Sequence, residues 1–212
     1  MFRYSSKSFR VAYFVSSFLP SYSFLLIILV VQHFELSGRL LPITWEISTM
    51  KIIFILTFIS LVLSFFSLLY IKNAFENVLK NSKSRTHRSA YITRNYNVGM
   101  REFLLSVLVP ILTTISIQDM PITGYVSMVI LQILIFFYYE NSSEYFPNLS
   151  LQLIRYSVIN AIDNKQNREV YLFTKSDRVS DIINGNQDFV YFGKLNRNSE
   201  IGIILEEKTL EN

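Results

Sequence analysis

Uncharged apolar runs separated by short polar stretches fill the first 139 residues of the chain. Residues 11–31 hold 21 positions without a charge and residues 52–71 hold 20, while residues 103–117 and 122–139 add 15 and 18. A helix needs roughly 20 apolar residues to cross about 30 Å of hydrocarbon, and about 17 are tolerated. The pattern therefore predicts four transmembrane helices, at about 11–31, 52–71, 103–117 and 122–139. Pro20 and Pro110 fall mid-span in the first and third. Each should kink its helix and leave carbonyls that neighbouring helices, hydroxyls or water must satisfy. Ser16, Ser17, Ser21 and Ser23 surround Pro20, and Thr113 and Thr114 follow Pro110. Pro121 opens the fourth span, where its missing N–H costs nothing.

From residue 140 the period changes. Residues 170–175 (Val-Tyr-Leu-Phe-Thr-Lys), 189–193 and 201–205 are short runs rich in β-branched and aromatic residues, bounded by turn formers. Residues 156–162, followed by Asp-Asn-Lys-Gln-Asn, suit a strand and turn leading back into Val170 as a hairpin. Ser176 or Asp177 is placed to cap a short helix that stops at Asn184-Gly185. The expected architecture is an α-helical integral membrane protein. A four-helix transmembrane domain (1–139) with a basic cytosolic loop (72–101) precedes a small cytosolic α+β tail domain (140–212).

Charge orients this arrangement. Residues 1–139 hold twelve Lys/Arg against five Asp/Glu, and residues 140–212 hold eight against eleven. Seven cations sit in the loop 72–101 and three in the first ten residues. Cations collect in cytoplasmic loops, so both termini are expected in the cytoplasm of a bacterial inner membrane. The first run is too long for the apolar core of a cleaved signal, and it ends in Val-Val-Gln-His-Phe without a small-x-small site. It reads as a retained anchor. Only 17% of residues are charged and mean hydropathy is positive, whereas soluble domains carry nearer 25% charge. With no cysteine, disulfides, thiolate metal sites and a cysteine nucleophile are excluded together.

Candidate chemistry is sparse. Lys80, Lys83, Arg85 and Arg88 lie within nine residues and suit an anionic leaflet or an acidic partner. Arg101 and Glu102 open the third span, where the carboxylate gains from the helix N-terminus and can pair with a neighbouring arginine. Gln132 is the strongly polar side chain deep in the fourth span; it reads as an interhelical hydrogen bond within an oligomer or, less simply, a pore lining. Tyr70, Tyr138 and Tyr139 fall where interfacial aromatics belong. The sequons at Asn141 and Asn148 fall on the inside face in this topology. No phosphate loop, HExxH, GxSxG or paired-carboxylate motif is present, so no catalytic residue, metal site or cofactor is expected.

One stretch has a recognisable order: Arg101-Glu102, Pro110, a second apolar span ending in Tyr138-Tyr139, then Pro147-Asn148, Tyr156 and residues 170–175. It resembles the membrane proteins of the KwaA type, from the bacterial Kiwa anti-phage defence system. Two departures stand out: the order is Pro147-Asn148 rather than Asn-Pro, and Arg155 occupies the position of a usual glycine. The resemblance implies a non-enzymatic role: an inner-membrane protein that forms multimers, a tetramer among them, and senses phage attack. It implies a cytosolic DNA-binding partner of the KwaB type, with no direct nucleic-acid contact of its own. Docking would then use the loop around residues 80–88 and the tail. Two other readings stay open. One is an oligomeric channel or depolarising toxin lined by Pro20, Pro110, Thr113, Thr114 and Gln132; the other is an exclusion protein that blocks DNA entry.

Overall fold

A computed structural model describes residues 6–38, 48–96, 121–141, 147–192 and 201–205. Helix α1 (Lys7–Ser17) starts on Ser6, whose Oγ accepts from the Phe9 N–H at 3.2 Å. The backbone breaks at Phe18, and α2 (Leu19–Ser37) resumes with Pro20 in its first turn and ends on Gly38 at φ +66°, a left-handed cap that glycine adopts without strain. The predicted kink at Pro20 is thus a break between two helices. Helix α3 (Thr49–Lys80) then runs 32 residues, and α4 spans Pro121–Asn141. The predicted third span, 103–117, lies outside the described residues, as do Arg101 and Glu102.

Among the described residues, three helices are long and apolar enough to cross a membrane: Lys7–Glu35 taken through its break, Thr49–Lys80 and Ile122–Tyr139. At 1.5 Å per residue α3 is about 48 Å long, well beyond the roughly 30 Å of a hydrocarbon core. Its two ends differ accordingly. From Ile52 to Tyr70 it exposes large side chains, among them Phe58, Leu63 and Phe66. The buried stripe that includes Ser64 and Leu68 continues past Tyr70 through Ile71, Phe75 and Val78, while the outward positions there become polar, with Lys72, Asn73, Asn77 and Lys80 exposed. This is the amphipathic stripe of a helix lying on a protein surface.

That surface is a five-stranded barrel. Strand β1 (Arg88–Tyr96) comes from the segment expected to be a basic loop, and β2 (Tyr156–Asp163), β3 (Arg168–Lys175), β4 (Asn186–Tyr191) and β5 (Ile201–Ile204) follow. The barrel closes in the order β1-β2-β3-β5-β4. Strand β1 pairs antiparallel with β2 through Ala90–Ile92 and with β4 through Arg88–Tyr91, and a register shift between Ile92 and Tyr96 marks the bend. The β2–β3 hairpin is fully registered from Tyr156↔Lys175 to Asp163↔Arg168. Strands β3 and β5 are parallel, and a short helix α5 (Val179–Ile182) lies between β3 and β4. Its expected Ser176/Asp177 cap is absent: Arg178 holds the N-cap position with no side-chain hydrogen bond. This order defines the Greek-key barrel called the OB-fold. Gly202 is required in β5, since a Cβ there would lie 2.7 Å from the Phe189 ring and 2.9 Å from the Val190 oxygen.

The described residues thus form two apolar cores. One fills the barrel with Ile92, Ile159, Leu172 and Phe189; the other runs from the helices onto the outer face of the barrel through Phe75, Tyr156, Val158, Phe173 and Ile203. The boundary expected at residue 140 cuts the barrel, because β1 precedes α4 in the chain. Residues 140–212 expressed alone lack the strand that closes the sheet, and their Tyr156 and Phe173 lose the cover of α3. They should show no cooperative thermal transition by circular dichroism; a sharp reversible transition in that fragment would contradict the fold.

Candidate functional site: the junction of helices and barrel

Chemistry-bearing side chains converge where α1, α3 and the barrel meet. Phe75 is completely buried, with ring centroids 4.7 Å from Phe173, 4.8 Å from Tyr156, 5.3 Å from Phe192 and 6.3 Å from Phe9. Phe9 lies 5.3 Å from Phe192, and Tyr13 meets Phe173 edge-on at 6.3 Å. Tilted and edge-to-face pairs at these spacings each add about 0.5–1.5 kcal/mol beyond area burial. One aromatic cluster therefore ties α1 and the far end of α3 to β2, β3 and the end of β4.

A hydrogen-bonded clamp lies beside it. In an unbroken helix the Ser16 carbonyl would accept from the residue-20 N–H, which proline lacks. The Ser150 hydroxyl donates to that carbonyl at 2.6 Å instead. The Asn148 amide donates to the Tyr13 carbonyl at 3.0 Å and to Ser16 Oγ at 2.8 Å, while its own Oδ1 accepts from the Ser150 N–H. All of Ser16, Asn148 and Ser150 are fully buried. Asn148, a sequon residue in the sequence, is thus a helix cap supplied by the strap that leads from α4 into β2. The strap continues as a 3-10 turn (Leu149–Ile154) and ends on Arg155 at φ +58°, ψ +38°. The left-handed region favours glycine and, less strongly, asparagine, so an arginine here carries backbone strain.

The four clustered cations part company. Arg85 donates to the Tyr191 carbonyl at 2.8 Å, and Arg88 bonds Asp163 Oδ2 at 3.1 Å; both help close the barrel. Lys80 and Lys83 are exposed. Asp163 is fully buried and also accepts from the Tyr191 hydroxyl at 2.6 Å and the Lys165 N–H at 2.8 Å. Burial alone would raise its pKa, but these donors and Arg88 outweigh that effect and hold the carboxyl below its ordinary value. Burial and the bond to Asp163 push the Tyr191 phenol up. Arg88 and Arg168 lie 5.4 and 5.9 Å from the Tyr191 ring centre.

Among the helices, Gln132 Oε1 accepts from the Tyr22 hydroxyl of the same chain at 2.6 Å, joining α4 to α2. Ser60 and Tyr125 pair at 2.8 Å, and Tyr125 also donates to the Leu56 carbonyl at 3.2 Å, joining α4 to α3. Sequence reading missed Asn148, Ser150, Asp163 and Phe75. Only Phe75 had a legible signal, since Ile71, Phe75 and Val78 continue the apolar stripe past Lys72 at helical spacing.

These features define a class: a helical protein with membrane-length apolar helices, one of which continues unbroken onto the outer face of a small closed β-barrel. The chain belongs to the KwaA family, for the family described as anti-phage protein KwaA matches residues 9–201. It is therefore a KwaA-type component of the Kiwa defence system, and its setting is anti-phage defence. No curated protein and no solved structure matches the chain.

Two outcomes check the junction. Phe75→Ala should cost about 3–5 kcal/mol, read as a lowered melting temperature in mild detergent, while Phe66→Ala on the exposed face of α3 should leave it nearly unchanged. Because the Asp163 pKa is depressed, its stabilisation is complete above the ordinary carboxylate range and is lost as pH falls through the lower folded value. Wild type should lose melting temperature below about pH 4. Asp163→Asn, already destabilised by about 3 kcal/mol through the unpaired Arg88, should show a flatter acid limb.

Proposed function

We propose that this protein is a multi-pass inner-membrane sensor and scaffold, non-enzymatic, whose barrel stands in the cytoplasm and engages a soluble DNA-binding effector. The observation that carries the reading is the two-faced α3. Over about 28 Å it presents apolar side chains outward, matching a hydrocarbon core, and over its last ten residues it holds the barrel through Phe75. A disturbance that tilts α3 in the bilayer has a direct mechanical path to the barrel.

Two further observations support the assignment of roles. OB-type barrels offer their β2–β3 face to oligonucleotides. Here the Tyr156–Phe173 side of that face is occupied by α3 and α1, which supports contact with nucleic acid through a partner rather than directly. Exposed Lys80 and Lys83 stand at the start of the barrel, available to an acidic partner surface. Two polar pairs bond within the chain, Tyr22 to Gln132 and Ser60 to Tyr125, which supports a packed bundle over a channel lined by Gln132. Assembly into a homo-oligomer, including a tetramer, remains part of this proposal and rests on the family resemblance.

The test is co-purification in mild detergent from cells expressing the neighbouring gene. Wild type should recover a soluble DNA-binding protein. The Lys80→Glu/Lys83→Glu variant should insert normally yet lower recovery by at least about tenfold and lose protection against phage. Recovery of no such protein by the wild type would sink the scaffold reading. Collapse of membrane potential on expression alone would favour the channel.

A further inference from the structure

Internal contacts supply a depth scale for the helices. Tyr125 reaches Ser60 and the Leu56 carbonyl, so residue 125 of α4 is level with about residue 58 of α3, and Tyr138 with about residue 71. Exposed Tyr70 and Tyr138 therefore mark one plane, the end of the outward apolar band and the depth at which interfacial tyrosines sit. Phe14 stacks on Tyr139 at 5.8 Å, so the α1–α2 break and the Asn148–Ser150 clamp lie near the same plane.

The polar layer of a bilayer adds about 5–7 Å on each side of the hydrocarbon. Lys72 is two residues past Tyr70, about 3 Å along the axis, and is exposed. Arg155 is exposed and adjoins Tyr156, whose ring packs on Phe75, about 7 Å past Tyr70. Neither side chain makes an ion pair or hydrogen bond among the described residues. Leu153, on the strap just before Arg155, is 66% exposed, although the opposite side of the same turn buries Asn148, Ser150 and Leu151 completely. By contrast Lys80 lies about 15 Å past the tyrosine plane, and Lys83 further still, outside the polar layer.

We propose that Lys72, Arg155 and Leu153 form a headgroup-level anchor that holds anionic phospholipid against the junction, with Leu153 entering the acyl boundary. This deepens the membrane reading above and rests on it. It moves lipid contact away from Lys80 and Lys83, which are left for a protein partner. It also gives Arg155 a reason to hold a left-handed position that favours glycine: an exposed cation is placed two residues from the exposed Leu153.

The full chain is reconstituted in nanodiscs of equal parts phosphatidylcholine and phosphatidylglycerol, and the lipids retained on release are counted by native mass spectrometry. Wild type should retain phosphatidylglycerol preferentially. The preference should fall about fivefold in Lys72→Gln or Arg155→Gln and about thirtyfold in the double variant. Lys80→Gln/Lys83→Gln should keep it, as should the charge-conserving Lys72→Arg/Arg155→Lys, which controls for folding. Leu153→Ser should lower retention of both lipids alike. An unchanged preference in the double glutamine variant, or an equal loss in Lys80→Gln/Lys83→Gln, overturns the anchor. A chain that enters no nanodisc and stays in aqueous supernatant refutes the membrane reading instead, so the two failures are distinguishable.

Discussion

Phe75 stands at the point where one helix changes surroundings. Up to Tyr70 the helix α3 offers Phe58, Leu63 and Phe66 outward; one turn later its opposite, buried stripe brings Phe75 into an enclosure made by Tyr156, Phe173 and Phe192. Among the described residues α3 joins helices to barrel directly, because the α-helix is unbroken from Thr49 to Lys80 and carries displacement along its axis. The barrel needs this contact in turn. Its outer face from β2 to β4 is apolar, with Val158, Phe173, Val190 and Ile203 all buried there, and without α1 and α3 it would be a patch too large for a soluble domain.

The break at Phe18–Pro20 has a comparable logic. The proline frees the Ser16 carbonyl, which is buried and must find a donor; Ser150 supplies it and Asn148 caps the Tyr13 carbonyl beside it, both from a segment more than 130 residues away. Closing this gap joins α1, the strap from α4 and the first residues of β2 in one place. Arg155, twisted into the left-handed region, is where the strap turns into the barrel.

Much of the outline could be read from residues alone, for identifiable reasons. Long uncharged runs have few other destinations, so residues 52–71 and 122–139 announced α3 and α4. The strands over 156–163 and 168–175, with the turn between them, carried the β-branched and aromatic content and the turn chemistry of a hairpin. Strand β1 was hidden because Arg88 and Arg94 made its segment look like a topogenic loop, and its pairing with β4 spans nearly a hundred residues. Local pattern cannot encode such a contact. Asn148 and Asp163 were hidden for the same reason: a buried asparagine and an exposed one are spelled alike, and only the fold supplies their partners.

One feature bears on how the protein is made. Strand β1 leaves the ribosome before α4, and its partner β2 after it, so the sheet cannot close until the intervening helix has been laid down. A chain whose α4 is misplaced would keep β1 and the β2–β3 hairpin apart. Its unpaired strand edges and the bare Phe75 ring would then be open to housekeeping proteases. The finished barrel is in that sense a receipt for correct biogenesis.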